Sequence, residues 1–438
     1  VDNRFAARFG SSVLLLAASC LPVVRAAADD WPQWRGPNRD GRWNETGLVE
    51  RFDRAQLPWK WRVPIGTGYC GPTVSDGRVF VMDRLIEPEE RERVLCLDEQ
   101  TGAQLWKHEY RCEYQRVSYT AGPRASVSIV GSRAYALGTM GNLHCLDTKS
   151  GQVIWQRDLN SDYQIRMPIW GIAAAPLVFE DLVITHIGGS DGACCVAVDR
   201  NTGDERWRAL DDRAGYSAPI LIRKGGVTVC VVWNGDAIAG LSATSGDVLW
   251  RLPFPSRKMP IGVPTPVVDG NRVFVSSFYD GSFMVVLGDG PREARKLWSA
   301  VGRSERNTAA LQCMISTPIM RNGFIYGVDS YGELRCLDAA TGQRIWEDQT
   351  ATPRARWSNI HMVEQQDRVW MFNERGELLI ARLSPDGFQE ISRTQLLEPT
   401  TAQLSQRGGV CWSHPAFANR HIFARNDREL VCASLADE

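Results

Sequence analysis

Two adjacent thiols, Cys194-Cys195, are the first feature of this chain that could do chemistry. A vicinal disulfide between them would require a distorted peptide, which an extended strand resists. The six histidines (108, 144, 186, 361, 414 and 421) are scattered. No paired Cys-x-x-Cys and no His-Glu-x-x-His is present, so no zinc spacing appears. Nucleophile-elbow and phosphate-loop motifs are absent as well. Carboxylates recur at Asp98, Asp147, Asp199 and Asp338, always ahead of a Thr/Ser-Gly pair, and so read as turn residues rather than acids for catalysis. His361 and His414 fall near strand starts and could face a channel, although a structural role is the simpler reading.

Those carboxylates belong to a repeat. Asp98, Gly102 and Trp106 recur as Asp147, Gly151 and Trp155, as Asp199, Gly203 and Trp207, and as Asp338, Gly342 and Trp346. Gly246 with Trp250 lacks the Asp, Trp298 ends a degenerate copy, and Trp61 fits the series at the front. The tryptophans step by 43 to 52 residues, and one further step reaches Ile391 in a weaker copy. A second strand type, such as Arg78-Val79-Phe80-Val81 and His421-Ile422-Phe423-Ala424, occurs eight times. Each unit therefore reads as four antiparallel strands. One such sheet cannot bury both faces alone, but eight packed radially can. The fold expected is all-β, an eight-bladed propeller over residues 57–438. The last unit lacks a fourth strand and Trp59 to Pro64 is an orphan, so strand exchange between the termini is expected to close the ring.

Cys96, Cys145, Cys336 and Cys432 occupy one register in separate units, too far apart to bridge, and should fill a small slot in each seam. Cys195 aligns with Leu143, which places the adjacent pair at the start of a third strand, where small buried apolar residues are the expected reading.

Residues 1–28 have the order of a secretory signal: Arg4 and Arg8, the apolar run Val13 to Ala18, then Ala26-Ala27-Ala28. Cys20 is a possible lipid-anchor site, although the Leu lies four residues before it. An N-terminal extension, 29–56, follows. The chain carries 50 basic and 51 acidic residues, which gives no overall pull toward nucleic acid.

The repeat resembles the PQQ-type propeller superfamily across roughly residues 57 to 438. The opening Trp31-Pro32-Gln33-Trp34-Arg35-Gly36-Pro37 is similar to the start of many exported bacterial proteins with these repeats. The superfamily includes quinoprotein dehydrogenases, which hold pyrroloquinoline quinone (PQQ) with Ca²⁺, a catalytic Asp, a stacking Trp and often two adjacent Cys. It also includes non-enzymatic members such as the outer-membrane assembly factor BamB. The motif marks the fold and not the cofactor.

Antiparallel order puts the blade-to-blade connections on one face. Several are long: His108 to Pro123, Asp158 to Pro176, Ala300 to Pro318 and Ser392 to Pro415. They and neighbouring connections carry Arg124, Trp170, Arg306, Arg356, Trp357 and Trp412, an arginine-aromatic composition suited to partner binding. The expectation is a non-catalytic, monomeric, exported scaffold without a cofactor, at the periplasm or the periplasmic face of the outer membrane, with envelope proteins as partners. The alternatives are a PQQ- and calcium-dependent dehydrogenase and a sugar- or polymer-binding protein.

Overall fold

The Asp-x-x-Thr/Ser-Gly segment makes its turn through one carboxylate oxygen. Asp98 Oδ1 accepts from the backbone N–H of Gln100 and Thr101 and from the Thr101 hydroxyl, at 3.1, 2.9 and 2.8 Å. Asp147 and Asp338 repeat the arrangement with Ser150 and Thr341. The Thr101 hydroxyl bond is the main influence holding Asp98 below the usual carboxylate range. The glycine that ends each turn lies at positive φ, +72° at Gly102 and +80° at Gly203, which suits a residue without Cβ.

The computed structural model describes residue 2 and residues 29–437. The signal reading of residues 1–28 and the anchor reading of Cys20 lie outside the described residues. Eight four-stranded antiparallel sheets follow one another along the chain. Blade 1 is Thr73–Ser75, Arg78–Leu85, Arg91–Asp98 and Gln104–Arg111, in that order from the axis outward. Blades 2 to 7 repeat this order, with inner strands beginning at Ser128, Leu177, Ile220, Val267, Ile319 and Ile360. Blade 8 takes three strands, Ala416–Ala418, His421–Arg425 and Glu429–Ser434, from the end of the chain. Its outer strand is Trp59–Pro64, paired antiparallel with Glu429–Ser434.

Six of the repeat tryptophans bond their blade to the next. Trp61, Trp106 and Trp155 donate Nε1–H to the carbonyls of Glu99, Thr148 and Arg200, at 2.8, 2.9 and 3.0 Å. Trp207, Trp298 and Trp346 do the same toward Ala243, Ala339 and Ser384. Within its own sheet each ring sits opposite a small or slender residue, with Cys96 facing Trp106, Cys145 facing Trp155 and Cys432 facing Trp61. All the cysteines among the described residues are buried and free of disulfides. Cys195 opens a third strand with Cys194 just before it, and both are fully buried.

Residues 29–56 are part of the core. Trp31 and Trp43 are among the largest fully buried side chains. Trp31 exchanges backbone bonds with Val74 of blade 1, Pro32 accepts from Ile129 of blade 2, and Trp43 donates to Glu364 of blade 7. Arg39, 3% exposed, donates to the carbonyls of Ala175, Pro176 and Pro219 and to the Ser128 hydroxyl. The extension thus crosses the axis and closes one end of the channel.

Candidate functional site

The other end of the channel is a cavity with an empty volume of about 900 Å³, counting its open mouth. Trp34, delivered by the extension and held by an Nε1–H bond of 2.7 Å to Thr265 Oγ1, stands at its base with His361 and His414. His414 lies 5.1 Å from Trp34 and 4.9 Å from His361 between ring centroids.

One register supplies the wall. Tyr69, Arg124, Ala173, Tyr216, Val263, Ile315 and Trp412 each stand four residues ahead of the first residue of an inner strand, and all seven line the cavity. Successive blades repeat one geometry about the axis, so one repeat position becomes a ring. Tyr119, Trp170 and Met314, from the long connections, complete the mouth.

Of the six residues expected to bind a partner, Arg124, Trp170 and Trp412 line this cavity. Trp357 packs edge-on to Tyr119 at 6.3 Å. The Arg356 guanidinium lies 4.3 Å over the Trp357 ring and bonds both oxygens of Glu305 at 2.7 Å. Arg306, beside Glu305, is exposed and bonds the Tyr331 hydroxyl. The structure therefore gathers all six around one mouth. Tyr69, Tyr216 and Val263 were missed by type, and only their constant offset from the inner strand could have found them.

The polar groups of the site are few. Arg124 is occupied by the carbonyls of Ser118, Tyr119 and Gly122, and stacks 5.0 Å over Tyr69. Burial pushes His361 down to about 4, against the raising effect of its Nε2 bond to the Trp412 carbonyl. His414 is driven well below its ordinary value by burial and by His361. Its Nδ1 bonds the Pro415 carbonyl, while its Nε2 and the Trp412 Nε1 are buried without a partner among the described residues. No Asp or Glu lines the cavity. Among the described residues, no group of three or more His, Cys, Asp or Glu could hold a metal ion. Ca²⁺ takes six to eight oxygen ligands, so this lining does not fit it. Cys194 and Cys195 are not in the lining.

The fold and this axial site define a class: an eight-bladed propeller of PQQ-type repeats with a cavity at one end of its channel. The family model described as "Outer membrane protein assembly factor BamB" matches residues 46–224, 90–347 and 190–437, and the chain belongs to that family. BamB of Burkholderia pseudomallei is 21% identical over 414 residues, covering 92% of this chain and 99% of that protein. BamB of Yersinia pestis is 23% identical, covering 55% of this chain and 61% of its own length. A quinohemoprotein alcohol dehydrogenase of Pseudomonas putida is 25% identical over 187 residues, 41% of this chain and 25% of that enzyme. The chain thus spans about three fifths and one quarter of those last two relatives. Among solved structures, BamB of Moraxella catarrhalis superposes with a TM-score of 0.57 at 17% identity, covering 88% of this chain and 99% of that one. The quinohemoprotein alcohol dehydrogenase of Comamonas testosteroni gives 0.61 at 11% identity, covering 93% and 81%. These superpositions speak to the fold. No helix among the described residues is long and apolar enough to cross a membrane.

Proposed function

We propose that this protein is a non-catalytic scaffold of the bacterial envelope that docks a protein partner on the face bearing the long blade-to-blade connections. The observation that carries this reading is the convergence of Arg124, Trp170, Trp357, Arg356, Arg306 and Trp412 on one mouth. Large aromatic and arginine side chains at a concave site are the usual composition of an interaction hot spot. Membership in the BamB family supports an exported protein working with envelope proteins, in the periplasm or at the outer membrane. The opposite face carries compact turns with little side chain to present.

The second reading, a quinoprotein dehydrogenase, draws on the similarity to the alcohol dehydrogenases. The cavity counts against it, because a lining without carboxylates suits neither Ca²⁺ nor an aspartate base.

Photo-crosslinkers placed at Arg356 and Trp170 in the native envelope are expected to capture a partner, whereas crosslinkers at Lys149 and Ala340 on the tight-turn face are not. Trp412→Ala and Arg356→Ala should each weaken capture by about 2 kcal/mol. Capture on the tight-turn face, or normal capture by both variants, would contradict the docking face. Alcohol-dependent dye reduction after adding PQQ and Ca²⁺ would contradict the non-catalytic reading.

A further inference from the structure

The axial cavity is blind and aromatic, its one charged lining residue, Arg124, is already bonded, and one side of its mouth is basic. These properties identify an occupant more specific than a protein partner in general.

Inside, Trp34, Trp170, Trp412, Tyr69, Tyr119 and Tyr216 supply ring faces and edges. Such walls favour a flat ring in offset or edge-on contact. The Arg124 guanidinium is already held by three backbone carbonyls, so the interior offers no free charge to a charged ligand. Two of its lining residues, from the same blade, each keep one buried polar atom without a partner among the described residues. Trp412 Nε1–H is the donor, 8% exposed at the residue and without a partner among the described residues. His414, 5% exposed, bonds the Pro415 carbonyl through Nδ1, which must therefore carry the proton; its Nε2 is left with a free lone pair. An unpartnered donor and an unpartnered acceptor are together the complement of a hydroxyl on a ring.

Outside, Arg257, Lys258, Arg303 and Arg306 are exposed on the connections flanking blade 5, and none makes an ion pair among the described residues. Of the nearby carboxylates, Glu305 is taken by Arg356, and Asp280 is buried and accepts from the Arg257 backbone N–H and the Ser277 hydroxyl. Across the eight-membered ring from blade 5 stands blade 1, whose connection carries exposed Glu87 and Glu89. The blade 5 side of the mouth is thus basic, while the blade 1 side mixes these carboxylates with exposed Arg111 and Arg116.

We infer that the cavity is a socket for a tyrosine side chain presented by an extended segment of a protein partner, with acidic residues flanking that tyrosine on the blade 5 side. This rests on the docking face proposed above and names what enters it. The phenol ring fills the aromatic walls, its O–H donates to His414 Nε2, and its oxygen accepts from Trp412 Nε1. The flanking carboxylates meet Arg303 and Arg306, an attraction that salt screens.

The test uses the protein folded over residues 29–437 and three dye-labelled hexapeptides: Asp-Glu-Asp-Gly-Tyr-Gly, the same with Ala for Tyr, and the same with Lys for each acidic residue. Fluorescence polarisation at low salt should show binding of the first at least tenfold tighter than that of the other two. Ala173→Trp, which places a large ring in the cavity at a half-buried position, should abolish the preference for Tyr over Ala. Arg303→Glu with Arg306→Glu should erase the acidic preference and leave the Tyr preference. Circular dichroism and Tm confirm that each variant is folded, and Ala173→Phe serves should the Trp variant misfold. Equal binding of the Tyr and Ala peptides, an unaltered preference in the filled variant, or no binding at millimolar peptide overturns the inference. If the envelope partner still crosslinks at Arg356 while Ala173→Trp changes nothing, the docking face stands and the socket does not.

Discussion

The indole of Trp155 lies directly on Gly203 of the following blade, so closely that a Cβ built on that glycine would fall 2.8 Å from the ring. The same ring donates to the Arg200 carbonyl at the start of that turn. One residue of each blade thus reads two features of the next, its turn carbonyl and its missing side chain. Trp155→Ala should destabilise the protein by about 3–5 kcal/mol, since it removes a large buried ring from a seam. Gly203→Ala should also destabilise, through both the clash and the positive φ. Ala at exposed Lys149, a neighbouring turn position outside any seam, should be nearly neutral. Urea unfolding of the three variants checks the order.

The seams explain how much of the fold was legible. Trp and Gly keep fixed offsets because the interlock needs a ring, a turn carbonyl and a missing side chain, and the turn is made with Ser242 where Asp is absent; together with the eight copies of the second strand type this let the blades be counted. Trp250 shows the converse. The blade that follows has no Asp-x-x-Thr-Gly turn but a loop through Gly288 and Glu293, and Trp250 packs instead on Gly240 of its own sheet. The extension gave no such signal. Arg39 and Trp31 are fixed by backbone carbonyls and amides of several blades, which any sequence supplies. The cavity wall was hidden for a different reason. Its register is constant, but the position holds Tyr, Arg, Ala, Val, Ile or Trp in turn, so residue type carries no repeat.

The strand Trp59–Pro64 covers the outer edge of blade 8, where it pairs with Glu429–Ser434 from the far end of the chain. Deleting residues 57–66 should bare the backbone of that strand beside buried Val431 and Cys432. An uncovered edge templates pairing between molecules. Light scattering should therefore show the deletion variant aggregating under conditions where the intact chain stays monodisperse. A monodisperse deletion variant of unchanged Tm would show that the edge is protected otherwise.

Stability should fall in mild acid because of the histidines at the cavity base. His361 is held neutral by burial, at about 4, while the unfolded chain takes up its proton near the ordinary value of 6.5. A base depressed in the folded state contributes its full stability above the unfolded pKa, and that contribution drains away as pH falls from about 6.5 toward 4. For His361 alone the loss is about 3 kcal/mol over that window. His414, depressed further, adds to it. His361→Gln, which keeps a donor for the Trp412 carbonyl, should flatten the pH dependence of urea unfolding between pH 6.5 and 4. Parallel curves for variant and parent would contradict the assignment.

Arg39 is the pin that holds the extension in the channel. Its guanidinium reaches blades 2, 3 and 4 at once, through Ser128, Ala175, Pro176 and Pro219, and no carboxylate pairs with it among the described residues. The Pro176 carbonyl also accepts from the Ser128 hydroxyl, whereas Arg39 is the side-chain donor to the Ala175 and Pro219 carbonyls among the described residues. Arg39→Met keeps the length of the side chain and removes every donor. Each buried acceptor left unpaired costs about 1–3 kcal/mol, so a loss of about 3 kcal/mol or more is expected. Arg54→Met is the comparison, because Arg54 is exposed and pairs only with exposed Asp53 at 3.9 Å, an interaction of little consequence. The damage should also be local. Trp34 stands at the cavity base only because the segment between Trp31 and Trp43 is held down, so loosening Arg39 should expose that segment to protease before the blades unfold. Limited proteolysis is expected to cut within residues 29–45 of the Arg39→Met protein and to spare the same bonds in the parent. Cleavage first within the blades, or no cleavage at all, would mean that the extension is held by its tryptophans and not by its arginine.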